Sequence, residues 1–226
     1  MTRKRGWERW VASAIAALAT AVAEPVPAQT IQQVSPAGLA AILAGPLMPG
    51  EGAPEGDVTV IEYLDYNCPV CRRTDVEIEK LLAGDARIRV VYKDWPIFGA
   101  ASVYAAYCVF AAALQGKYQA AHHALIRSRR KLDSLVAIQE VLREAGIDTD
   151  RLETDIERHR REFSATLTRN HAEATALNLK GTPALIIGDR LVAGGLDAAQ
   201  LRLLVADVRM GESNDPMRKS SHNVRR

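Results

Sequence analysis

Apolar residues crowd into positions 57–65 (DVTVIEYLD), where Val58, Val60, Ile61, Tyr63 and Leu64 leave almost no polar gap. Such a run suits a strand covered on both faces rather than one with a wet side. The chain then turns polar at Tyr66-Asn67-Cys68 and meets Pro69, a residue favoured at the first position of a helix. Val76, Ile78, Leu81 and Leu82 carry an apolar face down to Gly84-Asp85, and 88–92 (IRVVY) reads as a second strand. From 100 to about 179 the pattern is helical throughout, punctuated at Gly116, Asp133, 146–150 and Arg160-Arg161. Strand signals return at Ala184–Ile187 and Arg190–Ala193, which flank Gly188-Asp189 as a two-residue hairpin turn. Gly194-Gly195 ends the second of these, and Asp197 can cap a last helix with Leu201, Leu204, Val205 and Val208 on one face.

The predicted order is β-α-β, a helical insert, α, then β-β-α: an α/β fold with a helical domain placed in its middle. It divides the chain into a first α/β part at 57–99, an inserted helical domain at 100–165 and a second part at 166–210. Residues 29–56, rich in Pro, Gly and Ala with one helical candidate at 36–44, read as an N-terminal lead-in. Residues 211–226 are polar and basic and read as a disordered tail. A chain of 226 residues is long enough for one domain with a full core and an insertion.

The N-terminus changes the picture of charge. Arg3, Lys4, Arg5 and Arg9 precede an apolar run of 13 residues at 11–23, followed by Pro25, Pro27 and Ala28. The run suits the core of a secretory signal and falls short of the ~20 residues of a membrane-spanning helix. Cleavage is expected after Ala28, giving residues 1–28 as signal peptide and a periplasmic, exported chain. Removing four basic and two acidic side chains from 29 and 27 leaves 25 of each. The remaining chain is neutral, with no basic surplus to neutralise phosphates, so no nucleic-acid partner is expected. The lead-in carries no heptad, and a monomer is expected.

Three cysteines in an exported chain cannot form a complete disulfide framework. Cys68 and Cys71 lie three residues apart at a predicted strand-to-helix junction, where thiol–disulfide exchange finds its two requirements. A thiolate must attack, and a second thiol must be near enough to resolve the mixed disulfide. At a helix start, free N–H groups and the dipole stabilise the Cys68 thiolate. Val70, between them, adds no charge or hydrogen bond. A zinc site is the competing use of such a pair, but zinc usually takes two of them. Beyond Cys108, His122, His123, His159 and His171 are the candidates for further ligands, and they include no matching pair. His122 and His123, adjacent on a helix, read as poor joint ligands, and no metal or cofactor is expected. Cys108 lies in an Ala-rich apolar helix and reads as structural. Trp95 and Phe98 read either as groove or as core. Gly181-Thr182-Pro183 places a proline at strand entry, where it cannot donate to a ladder. A cis peptide there would leave the Thr182 backbone free to pair with a substrate.

These residues carry a resemblance. Residues 61–71 (IEYLDYNCPVC), 92–99 (YKDWPIFG) and Gly181-Thr182-Pro183 are similar to the DsbA-like thioredoxin-fold oxidoreductases of the bacterial periplasm, over about 55–210. The resemblance implies a thioredoxin domain formed by 57–99 and 166–210 around the helical insert. It implies Cys68 as nucleophile, Cys71 as resolving thiol and Pro183 as cis. It also implies Glu62 as a buried acid under the disulfide, a third catalytic residue able to relay a proton to Cys71. Pro69, Val70, Thr182 and Pro183 would then border the substrate. The only redox group would be the Cys68–Cys71 disulfide itself. Partners would be cysteine-containing exported proteins and a membrane redox protein. Val70 stands where the family's oxidases carry His, and Thr182 resembles isomerase-type members as much as oxidases. Oxidase and isomerase or reductase directions therefore both remain open, with a thiolate Cu/Zn-binding module as the alternative from another class.

Overall fold

The computed structural model describes residues 30–214, so the signal-peptide reading of 1–28 and the tail beyond residue 214 lie outside the described residues. The elements run β1 (Ile31–Gln33), α1 (Pro36–Leu43), β2 (Gly50–Gly52), β3 (Val58–Leu64), α2 (Pro69–Gly84), β4 (Ile88–Asp94), α3 (Ala100–Leu114), α4 (Tyr118–Ile126), α5 (Leu135–Glu144), α6 (Thr149–Ala176), β5 (Ala184–Ile187), β6 (Arg190–Ala193) and α7 (Ala198–Asn214). The strands form one mixed sheet ordered β1-β6-β5-β3-β4-β2. Central β3 pairs in parallel with β4 and antiparallel with β5. This is an α/β thioredoxin fold with a helical insertion between β4 and β5.

Period-two alternation assigns each strand residue to one of two cores. On β3, Val58, Val60 and Leu64 join the core beneath α2, whereas Ile61 and Tyr63 join the opposite one. Glu62 falls on the α2 face by the same count. The β5–β6 turn is held at Gly188, whose φ of +58° favours glycine and whose absent Cβ would lie 2.6 Å from Val208 of α7. Asp197 caps α7 as expected, its carboxylate accepting from the Gln200 N–H at 2.8 Å.

Three features differ from the sequence reading. The lead-in is part of the sheet: β1 pairs with β6 and β2 with β4 at its two edges. Their sequences, IQQ and GEG, are too short and polar to show alternation, so pairing rather than pattern defines them. Arg160-Arg161 does not interrupt the helical block, because α6 runs unbroken through it and through the expected boundary at 165/166. Both arginines project outward, where a charge pair costs a helix little. Residues 211–214, assigned to the tail, complete α7.

Candidate active site

Strand β3 ends at Leu64, and the next four residues carry the chain to the first turn of α2. Asp65 organises this crossing. Its Oδ1 accepts from the Asn67 N–H at 2.8 Å and the Ser102 hydroxyl at 2.7 Å, and its Oδ2 from the N–H groups of Ile97 and Phe98 at 2.7 and 3.0 Å. Asn67 donates through its amide to Ser102 Oγ and the Leu132 carbonyl, each at 3.0 Å. The junction is thereby fastened to the helical insert on one side and to the loop after β4 on the other. Sequence reasoning passed over Asp65 and Asn67, although an Asp two residues before a chain reversal is a recognisable side-chain turn.

Cys68 is the N-cap of α2, with Pro69 at N1, and its sulfur accepts from the Cys71 N–H at 3.3 Å. It also contacts the Thr182 carbonyl oxygen at 3.2 Å. The Thr182–Pro183 peptide is cis, so the segment entering β5 brings that carbonyl directly against the sulfur. The neighbouring backbone is close as well. A Cβ on Gly195 would lie 2.6 Å from Thr74 Oγ1 and 3.0 Å from Val70, so only glycine lets the end of β6 approach the first turns of α2. Pro69 follows Cys68 as the first residue of α2, and Val70 and Pro183 both flank Gly195, 3.0 and 3.8 Å from where its Cβ would lie.

The two thiols differ electrostatically. Cys68 is held down to about 6 by hydrogen bonding from the Cys71 thiol, helped by the Thr182 side chain and the N–H groups of Cys71 and Val70 against the cost of burial. Cys71 is pushed far up by burial, and further by its bond to Cys68 and the charge of Glu62. Glu62 lies within the interior at 1% exposure, one oxygen without a hydrogen-bond partner. Burial raises its pKa well above the carboxylate range, with the charges of Asp75, Cys68, Asp94 and Glu51 adding to the effect. Asp94, at the end of β4, is a second buried acid that the sequence reading did not single out. Burial pushes it up to about 7, against hydrogen bonding from the Tyr66 side chain.

Other expected residues fall outside this centre. Cys108 is fully buried in α3, and burial pushes its thiol up to about 12. Trp95 belongs to the core on the far face of the sheet and donates to His171 Nδ1 at 3.1 Å. Phe98 is half exposed and borders a groove of about 700 Å³ that begins at Pro69 and Arg72 and is flanked by Arg130 and Lys131. His122 and His123, read as poor joint ligands, nonetheless approach a common group. A carboxylate from another helix, Asp75 of α2, lies between them at 3.5 Å from each ring.

A Cys-x-x-Cys pair at the start of a helix, facing a cis-proline segment across a β-α-β and β-β-α sheet, defines a thioredoxin-fold thiol–disulfide oxidoreductase. The comparisons agree. A family profile described as Thioredoxin matches residues 49–207. A thioredoxin-like oxidoreductase from Silicibacter pomeroyi DSS-3 is 39% identical with a TM-score of 0.72, covering 75% of this chain and 96% of its own. The thiol-disulfide exchange protein alpha-DsbA2 from Wolbachia pipientis is 29% identical with a TM-score of 0.67, over 71% and 87% of the two chains. A periplasmic thioredoxin-like protein from Salmonella enterica serovar Typhimurium is 27% identical with a TM-score of 0.64, over 78% and 98%. The chain belongs to the thioredoxin family, among its DsbA-like thiol–disulfide oxidoreductases. Curated relatives are named as Na(+)/H(+) antiporters, one of them NhaA 1 of Mycolicibacterium gilvum (strain PYR-GCK), 29% identical over 66% of this chain and 25% of its own. The chain spans about a quarter of the length of the curated relatives it matches.

Proposed function

We propose that the chain exchanges disulfides with cysteine-containing exported proteins in the periplasm, using the Cys68–Cys71 disulfide as its redox group. The observation that carries this reading is the Cys68 sulfur, set on the cap of α2 with its pKa near 6 and facing the Thr182 carbonyl. A substrate thiolate attacks Cys68 Sγ of the oxidised pair, the Cys68–Cys71 bond breaks, and Cys71 leaves. Because its thiolate is strongly disfavoured, Cys71 takes a proton as it departs, and protonated Glu62 is the donor the interior offers. A second substrate thiolate then attacks the substrate sulfur of the mixed disulfide and expels Cys68, which leaves readily as a stabilised thiolate. Two electrons have passed from the substrate dithiol to the pair. A membrane redox partner accepts them to restore the disulfide. In the reverse direction Cys71 attacks the mixed disulfide and releases reduced substrate.

The Thr182 and Pro183 backbone, with Pro69 and Val70 opposite, forms the bed on which an extended substrate lies. The groove past Phe98 continues it. Support for export comes from the basic and apolar segments at the N-terminus. No helix among the described residues is long and apolar enough to cross a membrane. A Cys68 pKa of about 6 lies between the ~3.5 of a strong oxidase and the ~7 of thioredoxin. The reduction potential should accordingly fall between about −120 and about −270 mV. Equilibrating the protein in glutathione and dithiothreitol buffers, then counting alkylated thiols by mass, measures it. A pair that never oxidises reversibly across that range would defeat the reading.

A further inference from the structure

Asp75, His122 and His123 form a cluster that the thiol chemistry does not use. Asp75 lies on α2 one turn beyond Cys71, and His122 and His123 lie on α4 of the helical insert. Asp75 and His122 are 2% and 1% exposed. Asp75 Oδ1 stands 3.5 Å from His122 Nε2 and 3.5 Å from His123 Nδ1, and none of these three atoms has a hydrogen-bond partner.

The remaining atom of each group is already engaged. Asp75 Oδ2 accepts from Arg127 Nε at 2.6 Å. His122 Nδ1 meets the Tyr66 hydroxyl at 3.1 Å, and His123 Nε2 meets Glu51 Oε2 at 3.3 Å. With the outer ring nitrogens turned to these two oxygens as N–H donors, and the proton that Asp75 and Glu51 favour on His123 released, three lone pairs converge between the inner atoms. Buried acceptors left in that state cost free energy, and a cation among them removes the cost.

We propose that these three residues bind a divalent transition-metal ion of the zinc type. All three ligand atoms lie within 4.8 Å of one another. Ligands about 2.0–2.2 Å from a tetrahedral zinc stand roughly 3.4 Å apart, close to the two 3.5 Å Asp–His separations. Two imidazoles and one carboxylate suit zinc, whereas magnesium and calcium require more oxygens and Cu(I) prefers sulfur. The outer contacts from Tyr66 and Glu51 orient both imidazoles, as second partners of metal-bound histidines do. The His122 ring is further held by stacking on Tyr92 and Tyr118, with centroids 4.1 and 5.7 Å away. His123, at 28% side-chain exposure, provides the way in and leaves a fourth position for water. A bound ion would tie α2, which carries the active-site thiols, to α4 of the insert.

Calorimetric titration of Zn²⁺ into the oxidised full chain tests this, because the Cys68–Cys71 disulfide keeps both thiolates from competing and Cys108 is fully buried. One equivalent should bind. His123→Ala, a change at a partly exposed side chain, should abolish binding while circular dichroism stays native. Glu51→Gln, which touches only the outer nitrogen of His123 within the cluster, should weaken binding about tenfold. Co²⁺ added to the oxidised wild type should show the visible bands of a four-coordinate nitrogen–oxygen site without thiolate charge transfer, a result that needs no variant to fold. Absence of stoichiometric Zn²⁺ binding would overturn the proposal and leave protons to join the three groups. Equal affinity in wild type and His123→Ala, or a thiolate signature with Co²⁺, would overturn it as well.

Discussion

The two sides of the Cys68–Cys71 pair differ more than three residues of sequence would suggest. On the cap side, Cys68 meets the N–H groups that open α2, and the Thr182 side chain also favours its anion. On the sheet side, Cys71 faces the interior, where burial raises the pKa values of Glu62 and Asp94 as well. One helical turn thus separates a place that stabilises negative charge from one that rejects it. The lesson is that a dithiol becomes directional through its surroundings: the N–H groups of the helix terminus make an attacking and leaving sulfur, and the dry face makes a resolving one.

The largest effect tests that asymmetry directly. Cys68→Ala should abolish disulfide exchange, whereas Cys71→Ala should accumulate mixed disulfides with exported proteins, visible on non-reducing gels and removed by reductant. Complexes formed through Cys71 in the absence of Cys68 would erase the distinction. Alkylation of the reduced protein should follow a midpoint near pH 6, well below the ~8.5 of a free thiol. The sign for stability follows. A lowered pKa stabilises the reduced fold fully only above the free-thiol value, and this gain is lost as pH falls through about 6.

Asp94 sharpens the comparison from the interior side. Its folded pKa near 7, against the ~3.9 of a free aspartate, means the unfolded chain releases the proton first. Stability should therefore fall as pH rises between those values, by up to roughly 4 kcal/mol. Urea titrations at several pH values should show Asp94→Asn lacking this loss. Parallel pH curves for variant and wild type would show that the interior does not resist charge at that position.

Glu62→Gln keeps the shape but cannot carry a proton. Exchange should slow by up to about a hundredfold, and its pH dependence should flatten. An unchanged pH–rate profile would reduce Glu62 to a packed side chain. The smallest effect belongs to Cys108, which lies far from either environment in character. Cys108→Ala should cost about 1 kcal/mol of stability and leave exchange near wild type. A tenfold loss of activity would bring a third thiol into the chemistry.

The strands and helices of the α/β core were legible because their signals are local. The buried run through Val58 and Leu64, the Cys68-Pro69 helix start, the Gly188-Asp189 turn and the Asp197 cap each announce themselves within a few residues. The edge strands β1 and β2 were not, since three polar residues become a strand only when a partner supplies the hydrogen bonds. The same division runs through the site. Chain order by itself determined that two thiols share the first turn of a helix and that Glu62 shares a strand face with Val60 and Leu64. Only the tertiary structure decided that Thr182 reaches Cys68 from 114 residues away, that Asp65 fastens the junction to Ile97, Phe98 and Ser102, and that Asp75 stands between two adjacent histidines. Periodicity reports which way a side chain points, but the charge, hydrogen bonds and dryness that set its chemistry come from whatever the fold packs against it.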